Sequence, residues 1–124
     1  MNSLAENKTK LTNLAFLRDL ADGSNDFIKE ILVMFINEMP DSAEQMKSSC
    51  NSKDWDTLKA IAHKMKPSLS FIGMEELQKD IQLIERSASE RSGLEKLPAL
   101  VSKSQLVINQ AVEELRDELQ NINC

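Results

Sequence analysis

The chain has 124 residues, of which 41% are apolar and 28% charged, and its formal net charge is −5. This length and composition predict one globular domain, and the acidic balance argues against nucleic acid or an anionic membrane as a partner. With three glycines and three prolines, the chain should fold into few, long elements. It has no apolar run of membrane-spanning length and no signal peptide core. Two cysteines in a small acidic chain are typical of free thiols, so we expect a cytoplasmic protein.

The N-terminal part of the chain predicts a flexible segment followed by a short helix. Residues 1–10 are polar and predicted to be flexible, and the folded domain is predicted to span 11–122. The short helix covers 13–21 and ends at Gly23. Its predicted buried side is formed by Leu14, Leu17, Leu20 and Ala21.

A long helix is predicted next. Ser24 or Asn25 can cap its start, and it is expected to reach about Ser49. Its apolar positions are Ile28, Leu32, Phe35, Met39, Ala43 and Met46. The apolar spacing continues across Pro40, which predicts one kinked helix rather than two.

The third predicted helix runs from about Lys53 to Ile72 and contains a proline. Pro67 cannot donate to the carbonyl four residues earlier, but the apolar spacing continues beyond it, so we predict a bent helix that does not end there. Gly73 suits the left-handed residue that often follows a helix.

Two further amphipathic helices complete the chain. The first follows Gly73 and ends in the segment 87–93, and the second runs from about Leu94 to the C-terminal end. Their predicted buried residues are Leu77, Ile81, Ile84 and Ala88 in the first, and Val101, Ile108, Ala111, Leu115 and Leu119 in the second. No stretch alternates as a strand would, so the predicted fold is all-α. Four long helices with short connections predict an antiparallel up-down four-helix bundle with a short additional N-terminal helix.

The single histidine of the chain, His63, lies on a polar stripe of the third helix. Lys59, Lys66 and Ser70 lie one or two turns away on the same stripe, and the apolar residues occupy another face. The ring is therefore predicted to face solvent in a basic patch. Such a residue is either ordinary surface or a carrier of a negatively charged group. One histidine and two distant cysteines cannot supply a usual metal ligand set, so no metal site is predicted.

The run A-H-x-x-K-P-S-x-x-x-x-G, from Ala62 to Gly73, resembles the core motif of histidine-containing phosphotransfer (HPt) domains, the intermediate carriers of two-component phosphorelays. The similarity covers about residues 13–88 without an obvious gap. It includes Gly23, Phe27, Phe35, Pro40, Asp54 and Trp55. One position departs from the family pattern, because glycine usually follows the lysine and this chain has Pro67.

The resemblance implies a phosphocarrier, not a complete enzyme. It implies that His63 accepts a phosphoryl group from a receiver-domain aspartate and relays it to another receiver domain. Lys66 would offset the phosphate charge, and Glu85, on the next helix, would accept the second ring N–H or else be a solvated surface carboxylate. The implied partners are receiver domains of response regulators or hybrid histidine kinases. They would bring the aspartate and Mg²⁺, so this chain is expected to need no cofactor of its own. It is also expected to be a monomer.

A receiver domain is expected to dock around His63 on the same helix. The candidate docking residues are Lys59, Ala60, Lys64, Pro67, Ser70 and Phe71. At about 100° per residue, Ala60 and Phe71 lie within roughly 80° of His63 and away from the core. They would supply apolar contact area, and the lysines would steer the encounter. The alternative is that the bend at Pro67 turns Phe71 into the core.

Two other functions remain open from the residues alone. A helical adaptor could bind a partner without using the histidine chemically. A small hydrolase could use Cys50 or His63, but the sequence places no third residue to orient either of them. The chain also has no glycine-rich phosphate loop and no acidic cluster suited to Mg²⁺.

Overall fold

The computed structural model describes residues 10–123, which form five α-helices and one short 3₁₀ helix. The helices are α1 (Ala15–Ala21), α2 (Asn25–Asn51), α3 (Trp55–Phe71), α4 (Glu75–Glu90), the 3₁₀ helix (Leu94–Lys96) and α5 (Leu97–Asn123). Residues 10–123 contain no strand, which confirms the predicted all-α fold. None of the helices in this range is both long enough and apolar enough to cross a membrane. The predicted flexible N-terminus lies outside the described residues, apart from Lys10.

The four long helices form the predicted up-down bundle. α2 packs against α3 and α5, and α4 packs against the same two helices, so each long helix has two neighbours around a shared core. The short α1 packs against α2. Fully buried large side chains come from every long helix and include Leu32, Leu58, Leu69, Ile81, Ile84 and Ile108. Burial of each such side chain contributes about 1.5–3 kcal/mol, and this is the main force that holds the helices together.

Both internal prolines lie inside continuous helices, as predicted. Pro40 lies within α2 and Pro67 within α3. The apolar residues on either side of each proline stay buried, among them Met39 and Ala43 in α2 and Met65 and Leu69 in α3. Packing of these residues offsets the cost of the backbone hydrogen bond that each proline removes.

The predicted start of α3 at Lys53 is wrong, because the helix begins at Trp55. Lys53 has a left-handed φ of 59° and cannot be part of the helix. The side chain of Asp54 caps the helix instead, and its Oδ1 accepts a hydrogen bond from the Thr57 N–H at 3.3 Å. At the other end α3 stops at Phe71, and Gly73 has the expected left-handed conformation, with φ of 69°.

Carboxylates of α5 hold the segment before α1 and α1 itself. The Glu114 carboxylate accepts hydrogen bonds from the backbone N–H groups of Leu11, at 2.7 Å, and of Thr12, at 2.9 Å. Glu118 forms ion pairs with Lys10 at 2.8 Å and with Arg18 at 3.0 Å. Two residues of α5 therefore decide how α1 is placed against the bundle.

The prediction that Leu20 is buried is wrong, because its side chain is 51% exposed. Leu17 and Ala21 are the buried residues of α1, and Leu14, which precedes the helix, is buried on the same side. A helix of two turns covers only a narrow face, and Leu20 lies about a quarter turn away from it.

Gly73, between α3 and α4, offers a direct test of how tightly this connection is built. A Cβ at Gly73 would lie 2.7 Å from the backbone oxygen of Asn13, and Asn13 is itself fixed by donating its N–H to the Ile72 carbonyl at 2.8 Å. Gly93 is a matched control, because its φ of 65° is similar but its nearest Cβ contact would be 3.8 Å. We expect Gly93→Ala to lower the free energy of unfolding by about 1–2 kcal/mol through backbone strain, and Gly73→Ala to lower it clearly more.

Urea denaturation of both variants measures this difference. Equal losses in the two variants would mean that the segment around Asn13 moves away at no cost.

Candidate functional site

His63 lies in the middle of α3 with its side chain 72% exposed. Its neighbours Ala62 and Met65 are buried, so the helix itself is held firmly while the ring reaches into solvent. Packing therefore does not require an imidazole at this position. The ring is free to meet another molecule.

The imidazole is oriented by Glu85 on α4. Nδ1 of His63 lies 2.8 Å from Oε2 of Glu85. An ionised carboxylate can only accept a hydrogen bond, so Nδ1 carries the hydrogen, and in the neutral ring the lone pair is then on Nε2. The Glu85 side chain is only 18% exposed and follows the buried Ile84. The carboxylate thus holds one ring tautomer in one orientation.

Lys66, one turn after His63, contacts the same carboxylate. Its Nζ lies 2.6 Å from Oε1 of Glu85, and it donates a hydrogen bond to Oε1 of Gln82 at 2.9 Å. The Lys66 ammonium lowers the pKa of Glu85 most, partial burial acts in the opposite direction, and the hydrogen bond with His63 lowers the pKa further. Glu85 is therefore ionised at neutral pH and links a ring N–H to a cation.

Gln78 extends these contacts one turn further along α4. Its Nε2 donates to the backbone oxygen of Lys66 at 3.0 Å and to Oγ of Ser70 at 2.7 Å. Sequence reasoning missed both Gln78 and Gln82. The spacing of these residues was a usable signal. Residues 78, 82 and 85 of α4 have helical spacing, and they pair in reverse order with residues 70, 66 and 63 of α3.

All six predicted docking residues are exposed, but two of them, Pro67 and Lys64, border different depressions. Pro67 lines an open groove between α3 and α4, of about 810 Å³, together with His63 and Lys66. The α4 side of this groove is formed by Glu75, Gln78, Lys79, Gln82 and Leu83. Lys64 lines a separate pocket against α2. Pro67 and Lys64 therefore lie on different sides of α3, one toward α4 and one toward α2.

Phe71 is 37% exposed and is not turned into the core. Its ring centroid lies 5.8 Å from that of Phe16 on α1. Together with other exposed apolar side chains of α1 and α2 these rings form a surface that we call the apolar patch. It consists of Phe16, Leu20, Phe27, Met34 and Phe71. The sequence identified only Phe71, since the contribution of α1 depends on how that helix is held.

The cysteines and acidic residues show no competing site within the described part of the chain. Cys50 is buried, and burial raises the pKa of its thiol, which makes it a poor nucleophile. Cys124 lies outside the described residues. No group of three or more His, Cys, Asp and Glu side chains among residues 10–123 is arranged to hold a metal ion. Within these residues, His63 with Glu85 and Lys66 is the arrangement that could take part in a reaction.

Comparison with protein families decides the assignment, because the model of the Hpt domain family matches residues 30–123. The chain belongs to the Hpt domain family. Hpt domains are phosphocarrier modules that work with receiver domains, so this protein has a histidine phosphotransfer function in two-component phosphorelays. A search of curated proteins found no match.

Two solved structures show the same fold as this Hpt protein. One is histidine-containing phosphotransfer protein B (HptB) from Pseudomonas aeruginosa PAO1, with a TM-score of 0.80 and 20% identity, covering 91% of this chain and 97% of that one. The other is the HPT domain of a sensor hybrid histidine kinase from Shewanella, with a TM-score of 0.75 and 17% identity, covering 88% and 93%. At these identities the similarity establishes the architecture.

The lowered pKa of Glu85 predicts a pH-dependent contribution to stability. A carboxylate whose pKa is depressed by folding stabilises the native state above its unfolded-state pKa, and this stabilisation disappears as the pH falls through the lower folded-state pKa. We therefore expect the stability advantage of the wild type over Glu85→Gln to shrink as the pH falls below about 4.

Thermal denaturation between pH 7 and pH 3 measures this difference. The control is Glu113→Gln, which removes an exposed carboxylate 3.6 Å from Arg116 and should change stability little throughout. A difference for Glu85→Gln that does not vary with pH would contradict the ionic coupling to Lys66 and His63.

Proposed function

We propose that His63 is the residue of this Hpt protein that accepts the phosphoryl group from a receiver-domain aspartate and relays it to a second receiver domain. The observation that carries the proposal is the 2.8 Å contact between Nδ1 of His63 and Glu85, in a side chain that is otherwise exposed. In the neutral ring, that contact leaves the lone pair on Nε2, where a partner can reach it. His63 is also the only histidine in the sequence.

The transfer follows from this arrangement. The Nε2 lone pair of His63 attacks the phosphorus, an N–P bond forms, and the P–O bond to the aspartate breaks so that the aspartate leaves as a carboxylate. Because Nδ1 keeps its hydrogen, the ring becomes positively charged in the product. The Glu85 carboxylate stabilises that charge at hydrogen-bond distance. Relay to a second receiver reverses the same steps.

Lys66 supplies the cation for the transferring group. A phosphoryl group in transit carries negative charge on its oxygens, and a positioned ammonium lowers the cost of that charge. Lys66 lies one turn from His63, and its contacts with Glu85 and Gln82 restrict its motion before the phosphoryl group arrives. We expect the receiver domain to bring the aspartate and Mg²⁺, while this chain contributes His63, Lys66 and Glu85.

The apolar patch is our proposed docking surface for the receiver. Phe71 connects the patch to the helix that carries His63, and the exposed Lys59, Ala60 and Lys64 lie on that same helix. Exposed apolar side chains clustered in this way are typical of interaction sites, and the lysines attract an acidic partner surface. We further propose that the protein acts as a cytoplasmic monomer. This agrees with its acidic composition and with its two cysteines, a number typical of free thiols in a small chain.

Substitution of His63 tests which residue accepts the phosphoryl group. His63→Gln should keep the fold, because the side chain is largely exposed and a glutamine amide can still donate a hydrogen bond to Glu85. The variant should take no label from receiver domains phosphorylated with acetyl phosphate, whereas the wild type should acquire an acid-labile, base-stable phosphoryl group.

A panel of receiver domains from response regulators and hybrid kinases provides the donors. Label retained by His63→Gln, or a large fall in its melting temperature, would contradict the assignment of His63.

Substitution of Phe71 separates docking of the receiver from the transfer reaction itself. Phe71→Ala should slow transfer at low protein concentration by about tenfold, which corresponds to about 1.4 kcal/mol of lost contact. It should leave the equilibrium distribution of phosphoryl groups between the two proteins unchanged, because that distribution depends only on the free species. Leu106→Ala, which truncates an exposed apolar side chain on α5, is the matched control and should change neither quantity.

Transfer kinetics over a range of receiver concentrations measure both quantities. An unchanged rate for Phe71→Ala would place the docking surface elsewhere, for example in the groove between α3 and α4.

A further inference from the structure

Gln82 is an exposed residue on α4 that neither the sequence nor the family match assigns to the site. It lies one turn before Glu85, and its Oε1 accepts a hydrogen bond from the Lys66 ammonium at 2.9 Å. An ammonium can only donate, so this contact fixes the orientation of the amide, with its oxygen toward Lys66 and its nitrogen turned away. The side chain therefore has a defined donor end.

That donor end has no protein partner. Within residues 10–123 the Gln82 Nε2 hydrogens donate to no protein acceptor, whereas Gln78, one turn earlier, uses its amide nitrogen on Lys66 and Ser70. Gln82, Lys66 and His63 line the same open groove. A pair of fixed N–H donors thus lies in the groove that His63 also lines.

We infer that Gln82 is a phosphate-binding residue, whose amide nitrogen donates to an oxygen of the phosphoryl group on His63 while its amide oxygen holds Lys66. This rests on the proposed function of His63. A phosphoryl group presents three acceptor oxygens, more than the single ammonium of Lys66 satisfies. The amide of Gln82 adds neutral donors for the phosphoryl oxygens. At the same time its oxygen orients the Lys66 ammonium, so one side chain contacts both the anion and the cation.

The alternative role for Gln82 is to position Lys66 and nothing more. Gln82→Glu distinguishes the two roles, because a carboxylate keeps an acceptor for Lys66 but replaces the donor with a negative charge that repels phosphate. If Gln82 only positions Lys66 and the phosphoryl group does not contact residue 82, the equilibrium fraction of label on the glutamate variant should match or exceed that on the wild type. If Gln82 binds phosphate, the glutamate variant should be worse than Gln82→Ala, which removes both ends.

The equilibrium constant for phosphoryl exchange with a receiver domain is the appropriate measurement. It compares free phosphorylated and unphosphorylated proteins, so contacts made only in the docked complex do not enter it. A contact with the bound phosphoryl group does enter it. The experiment mixes the 124-residue chain with a labelled receiver, lets exchange reach equilibrium and measures the label on each protein.

We expect Gln82→Ala to shift the equilibrium toward the receiver by about fivefold, the size typical of one ordinary hydrogen bond. Gln82→Glu should shift it further in the same direction. The matched control is Gln110→Glu, which adds the same charge at an exposed position of α5 and should shift it little. Circular dichroism melting checks that each variant is folded.

The outcomes separate this inference from the proposed function. Two results together would overturn phosphate binding by Gln82 and leave His63 as acceptor. The wild type would carry label that His63→Gln lacks, and the equilibrium fraction of label on Gln82→Glu would equal or exceed that on the wild type. A wild type that takes no label from any receiver would overturn both.

Discussion

The Glu85 carboxylate is the centre of the site, because its two oxygens serve two different purposes. Oε2 receives the ring N–H of His63, and Oε1 holds the ammonium of Lys66. The first contact sets the tautomer and aims Nε2 outward, and the second keeps the carboxylate ionised at neutral pH. In the transfer that we propose, the ring gains positive charge, and the negative charge that stabilises it is already in place and partly shielded from water. In the same proposal, the Lys66 ammonium lies near the phosphoryl oxygens.

The hairpin of α3 and α4 brings Glu85 to His63. The contacts His63 to Glu85, Lys66 to Gln82 and Ser70 to Gln78 each join residues that are equally far along the chain from Met74. Met74 is buried at the turn, and its N–H donates to the Leu69 carbonyl at 3.0 Å. Antiparallel helices that start from a fixed turn must meet in this reverse order, so the turn determines which side chain of α4 reaches the histidine. A one-residue change in the connection would rotate α4 by about 100° and remove Glu85 from the ring.

Much of the fold could be predicted because helical periodicity reports burial directly. Every apolar residue predicted for the core of α2 and α4 is buried, and α2 and α3 continue through Pro40 and Pro67 as their apolar spacing indicated. The prediction failed for Leu20, whose exposure depends on how Glu114 and Glu118 hold α1, and these contacts join residues about a hundred positions apart. Local spacing carries no information about such contacts.

The candidate site was accessible from the sequence only in part. The polar stripe singled out His63 and Lys66, and family resemblance pointed to Glu85. The amides of Gln78 and Gln82 were missed because a glutamine on an exposed helix face looks like ordinary surface until the register between α3 and α4 is known. The apolar patch was missed for a similar reason, since Phe16 meets Phe71 only after α1 is placed.

The state of the His63 ring is the most direct test of this account, and the single histidine makes the measurement unambiguous. Long-range ¹H–¹⁵N NMR spectra of the unphosphorylated protein, recorded at a pH where the ring is neutral, report which nitrogen carries the hydrogen. We expect a hydrogen on Nδ1 and a free lone pair on Nε2, with that preference lost in Glu85→Ala. A ring protonated on Nε2, or a tautomer mixture that Glu85→Ala leaves unchanged, would contradict it.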